Sequence, residues 1–148
     1  MSILDTDIFL VGAGPAGLTA AITANKLNLS SILIERKIFP RDKICGDGLD
    51  LKVVRVLNNI DPSIVQNEFS PNDFTHSMGM RFILPKGKHV DLICSNKNNE
   101  ALFRKPIFYT SRRTSFDEFL FSKVDKTIAD IKTGCIIQKI YKENNYWL

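Results

Sequence analysis

The sequence predicts an α/β fold built on a parallel sheet, and three observations carry that prediction. Asp7-Ile8-Phe9-Leu10-Val11 is an apolar strand that runs directly into Gly12-Ala13-Gly14-Pro15-Ala16-Gly17. A helical run follows the glycines, and Ile32-Leu33-Ile34-Glu35 then completes a second strand that ends in an acid. Helix and strand periodicities recur along the rest of the 148 residues, with no internal repeat and no low-complexity segment.

Strand, glycine turn, helix, strand and acid in that order make the βαβ fingerprint of a Rossmann-like domain that holds an adenine dinucleotide. Gly12 allows the tight turn out of the strand, and Gly14 lets the backbone approach a pyrophosphate. Gly17 has no side chain to hold the helix away from the sheet. The first N–H groups of the helix have no partners within it and carry partial positive charge, which suits a diphosphate. Pro15 costs little there, because its missing N–H falls among those groups. Glu35 follows the turn at about the ~20-residue spacing of an acid that accepts hydrogen bonds from ribose hydroxyls. A structural glycine turn in some other α/β protein is the plainer reading. The complete order of elements favours the dinucleotide.

Length allows one domain, and 44% hydrophobic with 24% charged residues is ordinary for a globular protein. The net charge of +4 is spread over scattered lysines and arginines, without the blocks of a nucleic-acid arm, so no nucleic-acid partner is predicted. Cys45, Cys94 and Cys135 form no C-x-x-C pair, which predicts neither a disulfide framework nor a zinc site. Reduced thiols suit a cytoplasmic protein. His76 and His89 stand alone, with no second metal ligand at a useful spacing. Asp5 and Asp7 rule out a signal peptide, and no apolar run reaches the ~18 residues of a span. Association with a membrane surface stays open.

The first strand is predicted over Ile3 to Val11 and the first helix over Pro15 to Leu27. Leu18, Ala21 and Ile22 form its apolar face, and Ala20, Ala21 and Ala24 are small enough for close packing on a sheet. Asn28 occupies the left-handed exit usually given to glycine. Ser31 to Glu35 reads as a strand covered on both faces. In Cys45-Gly46-Asp47-Gly48 two glycines flank an acid, which marks a tight loop. Leu49, Val53, Val56, Leu57 and Ile60 then repeat as one helical face, so this loop too opens a helix. Arg36, Lys37, Arg41 and Lys43 form either a solvated basic connection or a set that neutralises the pyrophosphate or pairs with Asp42 and Asp47.

Asp61 to Ser77 reads as a loop, from its Asp-Pro and Ser-Pro-Asn-Asp signals. Met78 to Leu84 and Lys88 to Cys94 are predicted as a hairpin around Pro85-Lys86-Gly87, followed by a polar loop from Ser95 to Glu100. Phe103 to Thr110 predicts a strand, with Pro106 placing it at an edge or bend. A helix starts near Thr114, with Ser115-Phe116-Asp117-Glu118 as a capping box. Phe116, Phe119, Leu120, Val124 and Ile128 supply its buried face. Cys135 to Tyr141 reads as a strand, and Tyr146-Trp147-Leu148 opens another.

Phe39-Pro40-Arg41-Asp42-Lys43-Ile44-Cys45-Gly46-Asp47-Gly48-Leu49 resembles the F-P-R-x-K-x-C-G-(D/E/G)-G-(L/I) signature of geranylgeranyl reductase family flavoproteins. These sit within the wider group of FAD-dependent oxidoreductases and monooxygenases similar to p-hydroxybenzoate hydroxylase. Arg113-Thr114-Ser115-Phe116-Asp117-Glu118-Phe119-Leu120 is similar to the family's R-x-x-F-D-x-x-L helix start. The motifs stand in the family's order, and the resemblance runs from residue 5 to the end.

The resemblance implies a Rossmann-like FAD-binding domain with a small β excursion from a truncated substrate domain. It assigns residues 1–77 to FAD binding, 78–110 to the substrate domain's sheet, and 111–148 to a return into the FAD domain. The FAD diphosphate would lie on Gly12, Gly14, Pro15, Ala16 and Gly17, with the adenosine ribose on Glu35 beside Arg36. Arg41 and Lys43 would serve the site. Cys45, Gly46, Asp47 and Gly48 would come close to the flavin, and Arg113 would reach back towards the dinucleotide.

The family scheme implies that flavin passes hydride to an isoprenoid double bond, or activates oxygen for hydroxylation. Isoprenoid or other apolar substrates, and NAD(P)H or another electron donor, are the implied partners. Family members are far longer, and a second glycine- and aspartate-containing motif completes their site. The chain stops inside a strand, which predicts a fragment, and no catalytic residue is assigned. A fragment of an aromatic-type monooxygenase and a non-catalytic NAD- or FAD-binding module are the alternatives. The Cys45 loop speaks against NAD, since a nicotinamide site has no need of it.

Overall fold

The computed structural model describes residues 5–45, 47–69, 72–93, 106, 108–144 and 146–147. They fall into two units, one formed by Met1–Lys43 with Arg113–Leu148 and the other by Ile44–Arg112. Residues 44–77, which the resemblance groups with the first domain, therefore cluster with the hairpin segment.

In the first unit β1 (Ile8–Val11), α1 (Pro15–Lys26) and β2 (Ser31–Glu35) follow one another, and β1 pairs in parallel with β2. The predicted strand from Ile3 starts later. Asp7 Oδ2 accepts from Ser30 N at 2.8 Å and from Ser30 Oγ at 2.7 Å, so the backbone ladder begins only at Ile8. Residues 3 and 4 lie outside the described residues. Leu18, Ala21, Ile22 and Ala24 of α1 are buried as their spacing predicts, whereas Ala20 faces solvent. Asn28 takes φ 54° and Leu29 N donates to Ala24 O, which closes the helix in the expected left-handed exit.

β2 is the central strand, flanked by β1 and, on its other side, by a parallel strand far along the chain. Leu33 is wholly buried there, and a leucine so placed stabilises a fold by roughly 1.5–3 kcal/mol. The second parallel neighbour corrects the sequence-based placement. No strand forms over Cys135 to Tyr141, where Ile136 and Ile140 are exposed. The strand is instead Ala129–Thr133, which pairs Ser31 with Ala129 through to Glu35 with Thr133. As an edge strand it carries solvated Asp130 and Lys132, bridged at 2.9 Å, and those charges hide it from an apolar count. Gly134 at φ 71° ends it.

The second unit holds β3 (Gly48–Leu49), α2 (Leu51–Ile60), α3 (Pro62–Glu68), β4 (Thr75–Ser77), β5 (Gly79–Ile83), β6 (His89–Ile93) and β7 (Phe108–Thr110). The predicted loop from Asp61 to Ser77 is corrected by α3 and β4. Asp61 Oδ1 accepts from Ser63 N at 2.9 Å and Pro62 takes the first helical position, so the Asp-Pro pair starts a helix rather than a turn. In α2 Leu57 is buried, but Val56 is 45% exposed and Leu49 belongs to β3, so the predicted face is narrower. β3 and β4 flank β7 in an antiparallel sheet. Phe69 stacks on Phe74 at 4.0 Å and meets Tyr109 edge-on at 5.3 Å, and Phe74 and Ile64 are buried.

β5 and β6 form the predicted hairpin around Pro85–Gly87, with Lys86 at φ 67°. Met80 faces Leu92 and Phe82 faces Val90, so one face of the hairpin is apolar and exposed. The predicted loop from Ser95 to Glu100 lies outside the described residues, as does most of Phe103 to Ile107.

Returning to the first unit, α4 (Arg113–Ser122) precedes β8 (Ala129–Thr133), β9 (Lys142–Glu143) and β10 (Tyr146–Trp147), the last two antiparallel. The helix starts before Ser115, so the predicted capping box is not formed and Ser115 stands within the first turn. The Arg113–Asp117 pair, at the i, i+4 spacing of side chains one helical turn apart, favours this earlier start. Phe116, Leu120 and Val124 are buried as predicted, although Val124 and Ile128 follow the helix. α1 packs on β1, β2 and α4. Asp125 N donates to Asn25 Oδ1 at 2.8 Å across that layer.

Candidate cofactor site

The chain leaves β1 through Gly12 at φ 96°, a backbone conformation that favours glycine. Gly12 N donates to Ile34 O at 2.7 Å, which ties the turn to β2. A Cβ on Gly17 would stand 1.9 Å from the Gly12 carbonyl oxygen, so the helix can start this close only with glycine there. Gly14 differs. Its φ of −78° is open to any residue, and a Cβ on it would meet only Arg41 Nη2, at 3.8 Å. Among the described residues nothing demands a glycine at position 14. Gly14 is also the N-cap of α1, with no side-chain cap, Pro15 next, and no acid in the first turn.

Glu35 closes this turn from the end of β2. Its Oε2 accepts from Ala13 N at 2.8 Å and its Oε1 from Lys37 N at 2.9 Å. Burial opposes ionisation of the carboxyl. The Lys37 and Ala13 amides and the charges of Arg41 and Arg36 outweigh it, holding the carboxyl below its ordinary value. Arg41 is buried beside it, with Nε 3.6 Å from Glu35 Oε2 and Nη2 donating to Ala13 O at 2.8 Å. Arg41 Nη1 lies 3.0 Å from Asp117 Oδ2, and Arg113 grips the same carboxylate through Nε at 2.8 Å and Nη2 at 2.7 Å. Two acids and two arginines thus balance in the buried layer under the turn.

The structure sorts the basic connection. Arg41 is structural to the turn, whereas Arg36, Lys37 and Lys43 are exposed. Asp42 takes Lys43 N on its side chain and Lys37 Nζ on its carbonyl. Pro15 is half-buried and Ala16 exposed at the helix start.

In the second unit Cys45 is exposed, Gly46 lies outside the described residues, and Asp47 takes φ 54°. Asp47 O accepts from Ser111 N at 3.0 Å. A Cβ on Gly48 would stand 2.5 Å from Phe108 Cζ, so a side chain at position 48 would have to push that ring aside. The helix after this loop does not repeat the first one. Asp50 Oδ1 accepts from Lys52 N and Val53 N, so the N-terminus of α2 is already occupied by a carboxylate. Among the described residues no group of three His, Cys, Asp or Glu side chains could hold a metal ion. No described helix is long and apolar enough to cross a membrane.

No family model matches the chain. Among curated proteins it is 29% identical over 140 residues to the digeranylgeranylglycerophospholipid reductase of Thermoplasma acidophilum, covering 93% of this chain and 32% of that protein. It is 44% identical over 61 residues to the menaquinone reductase of Mycobacterium tuberculosis, covering 40% of this chain and 15% of that protein. Its fold superposes on a geranylgeranyl bacteriochlorophyll reductase-like protein of Thermoplasma acidophilum with TM-score 0.73 at 27% identity, over 94% of this chain and 32% of the other. The chain resembles the geranylgeranyl-reductase-like flavoproteins. It spans about a third or less of the length of these relatives. The myxobacterial FAD-dependent halogenase CndH shares the fold, with TM-score 0.72 at 20% identity over 94% of this chain and 31% of the halogenase.

In this geranylgeranyl-reductase-like chain, Gly12, Gly14, Gly17, Glu35, Arg41 and Arg113 all lie in the first unit and converge around the Ala13 peptide or on Asp117. Cys45, Asp47 and Gly48 lie in the other unit. Sequence reasoning missed the part of Asp117, placing it in a capping box and in the R-x-x-F-D-x-x-L helix start without giving it a partner. The Arg-x-x-x-Asp spacing across one helical turn is the signal that reveals its pairing with Arg113. Nothing local reveals Arg41 as its second partner.

Proposed function

We propose that this chain binds FAD through the Gly12–Gly17 turn, as the FAD-binding portion of a flavin-dependent oxidoreductase similar to geranylgeranyl reductases. The observation that carries the reading is Gly14, a glycine that neither backbone angle nor packing explains, at the uncapped start of a 12-residue helix. Such a place suits a group that comes close to the backbone and carries negative charge, as a diphosphate does. Gly12, Pro15, Ala16 and Gly17 complete the cradle. Glu35 takes the ribose: with two backbone N–H groups bound, its roughly four acceptor directions leave room for hydroxyl donors. Arg36 stands exposed beside it.

Assignment of Cys45, Asp47 and Gly48 to the flavin end rests on the resemblance. When bound, FAD supplies hydride chemistry, and the chain's own residues supply binding and orientation. For the longer protein we infer an isoprenoid double bond as the group reduced. The similarity to the digeranylgeranylglycerophospholipid reductase supports that substrate class.

Titration of the purified chain with FAD and, separately, NAD tests the reading. At 100 times the dissociation constant FAD should add about 2.7 kcal/mol. That raises Tm by roughly 5–10 °C at this size. No shift with FAD, or a larger one with NAD, overturns it.

A further inference from the structure

We propose that Asp117 is a positioning residue for the glycine turn, acting through Arg41 on the Ala13 peptide. Asp117 is fully buried on α4. The Arg113 guanidinium engages it as a two-pronged fork, and Arg41 Nη1 adds a third contact at 3.0 Å. With one end of its guanidinium so held, Arg41 presents Nη2 to Ala13 O at 2.8 Å. Ala13 N is held from the other side by Glu35 at 2.8 Å. The peptides on both sides of Ala13 are therefore fixed by side chains of β2, the connection after it, and α4.

This has a directional consequence. In a trans peptide the C=O and N–H point in opposite directions. Holding Ala13 O against Arg41 turns the Gly14 N–H to the opposite side, at the uncapped start of α1. The donor beside the helix N-terminus is thus aimed before any ligand arrives, which lowers the ordering cost of binding. A lysine at position 41 lacks the planar fork needed to hold Asp117 and Ala13 together. If Asp117 merely neutralised two arginines, its loss would destabilise the unit without acting selectively on the turn.

A double-variant cycle on the full chain separates the two, using Asp117→Asn, Arg41→Met and their combination. One readout is hydrogen exchange at the Ala13 amide without ligand, compared with amides of the β2–β8 ladder. The other is FAD affinity. Each single variant should speed Ala13 exchange at least about tenfold beyond any change in the ladder, and the double variant should be no worse than Arg41→Met alone. Ala13 exchange that only tracks the ladder, or effects that add in the double variant, overturns the inference. If Asp117→Asn does not fold, Arg41→Met still tests the link, because that variant keeps the Asp117–Arg113 pair while losing the contacts of Arg41 with Asp117, Glu35 and Ala13. Unchanged Ala13 exchange in it overturns the inference.

The affinity arm rests on the function proposed above, and about a tenfold loss of FAD binding is expected in each single variant. Should the unaltered chain fail to bind FAD, the cofactor reading falls. The exchange cycle then decides the role of Asp117 on its own.

Discussion

Glu35 Oε2 accepts the Ala13 amide at 2.8 Å, so the acid that ends β2 is also a strut of the glycine turn after β1. One carboxylate therefore serves the protein's own backbone before it serves any ribose. Replacing it with Gln puts an NH2 group against either Ala13 N or Lys37 N, donor facing donor. The expected cost is about 1–3 kcal/mol of stability from the amide left unpaired, measured by urea unfolding. FAD affinity should fall about tenfold in the same variant. Unchanged affinity would remove Glu35 from the ribose site.

The same residue sets a pH window. Burial raises the Glu35 carboxyl, but the amides of Lys37 and Ala13 with Arg41 and Arg36 bring it net below its ordinary value of 4.5. A carboxyl depressed by folding contributes stability that is present above its unfolded value and lost as pH falls through the folded one. Stability of the unaltered chain should therefore decline on acidification below about 4.5. Asp7, Asp91 and Asp125 are depressed as well, from an ordinary value of 3.8, so their losses add only at lower pH. The diagnostic quantity is the difference between the unaltered chain and Glu35→Gln, which should shrink as pH falls. A difference independent of pH between 3 and 6, as a rough range, would show that Glu35 does not titrate in this way.

Gly14→Ala and Gly17→Ala should separate binding from folding. At Gly14 the backbone accepts alanine and the space is open, so stability should stay within about 1 kcal/mol, the N-cap preference and the chain-entropy gain opposing each other. FAD binding should nevertheless fall, by calorimetric titration. Gly17→Ala places a methyl 1.9 Å from a backbone oxygen and should lose roughly 1–3 kcal/mol or more of stability. If Gly14→Ala binds FAD as well as the unaltered chain, position 14 is not where the diphosphate sits.

Asp50→Ala tests the contrast between the two helix starts. Asp50 caps α2 through Lys52 N and Val53 N, and its loss should cost about 1 kcal/mol by thermal or urea melting. Because α2 is capped by its own acid, FAD affinity should not change. A variant that gained or lost affinity would bring this helix start into the site.

Much of the first unit was legible in the sequence because its signals are local. The glycine spacing, Asn28 as a left-handed exit, and the apolar run of β2 each reflect a conformational or burial preference of neighbouring residues. Where two local signals share one motif, the sequence misleads. Asp61-Pro62 serves equally as a turn and as an N-cap with its first helical residue, and here it is the latter. Ser115 fits a capping box by spacing, yet the helix already starts at Arg113, and the Arg113–Asp117 pair spans its first turn.

The sequence by itself determined the strand, glycine turn, helix, strand and acid, since each is fixed by residues within a few positions of one another. Tertiary structure alone decided that Ala129–Thr133 is the strand beside β2, because parallel pairing to a central strand can recruit an edge segment with outward charges. It alone joined Arg41 to Asp117 across the chain, and through them made the orientation of the Ala13 peptide depend on α4. Buried charges must find partners wherever the fold brings them, and no spacing rule says where that will be.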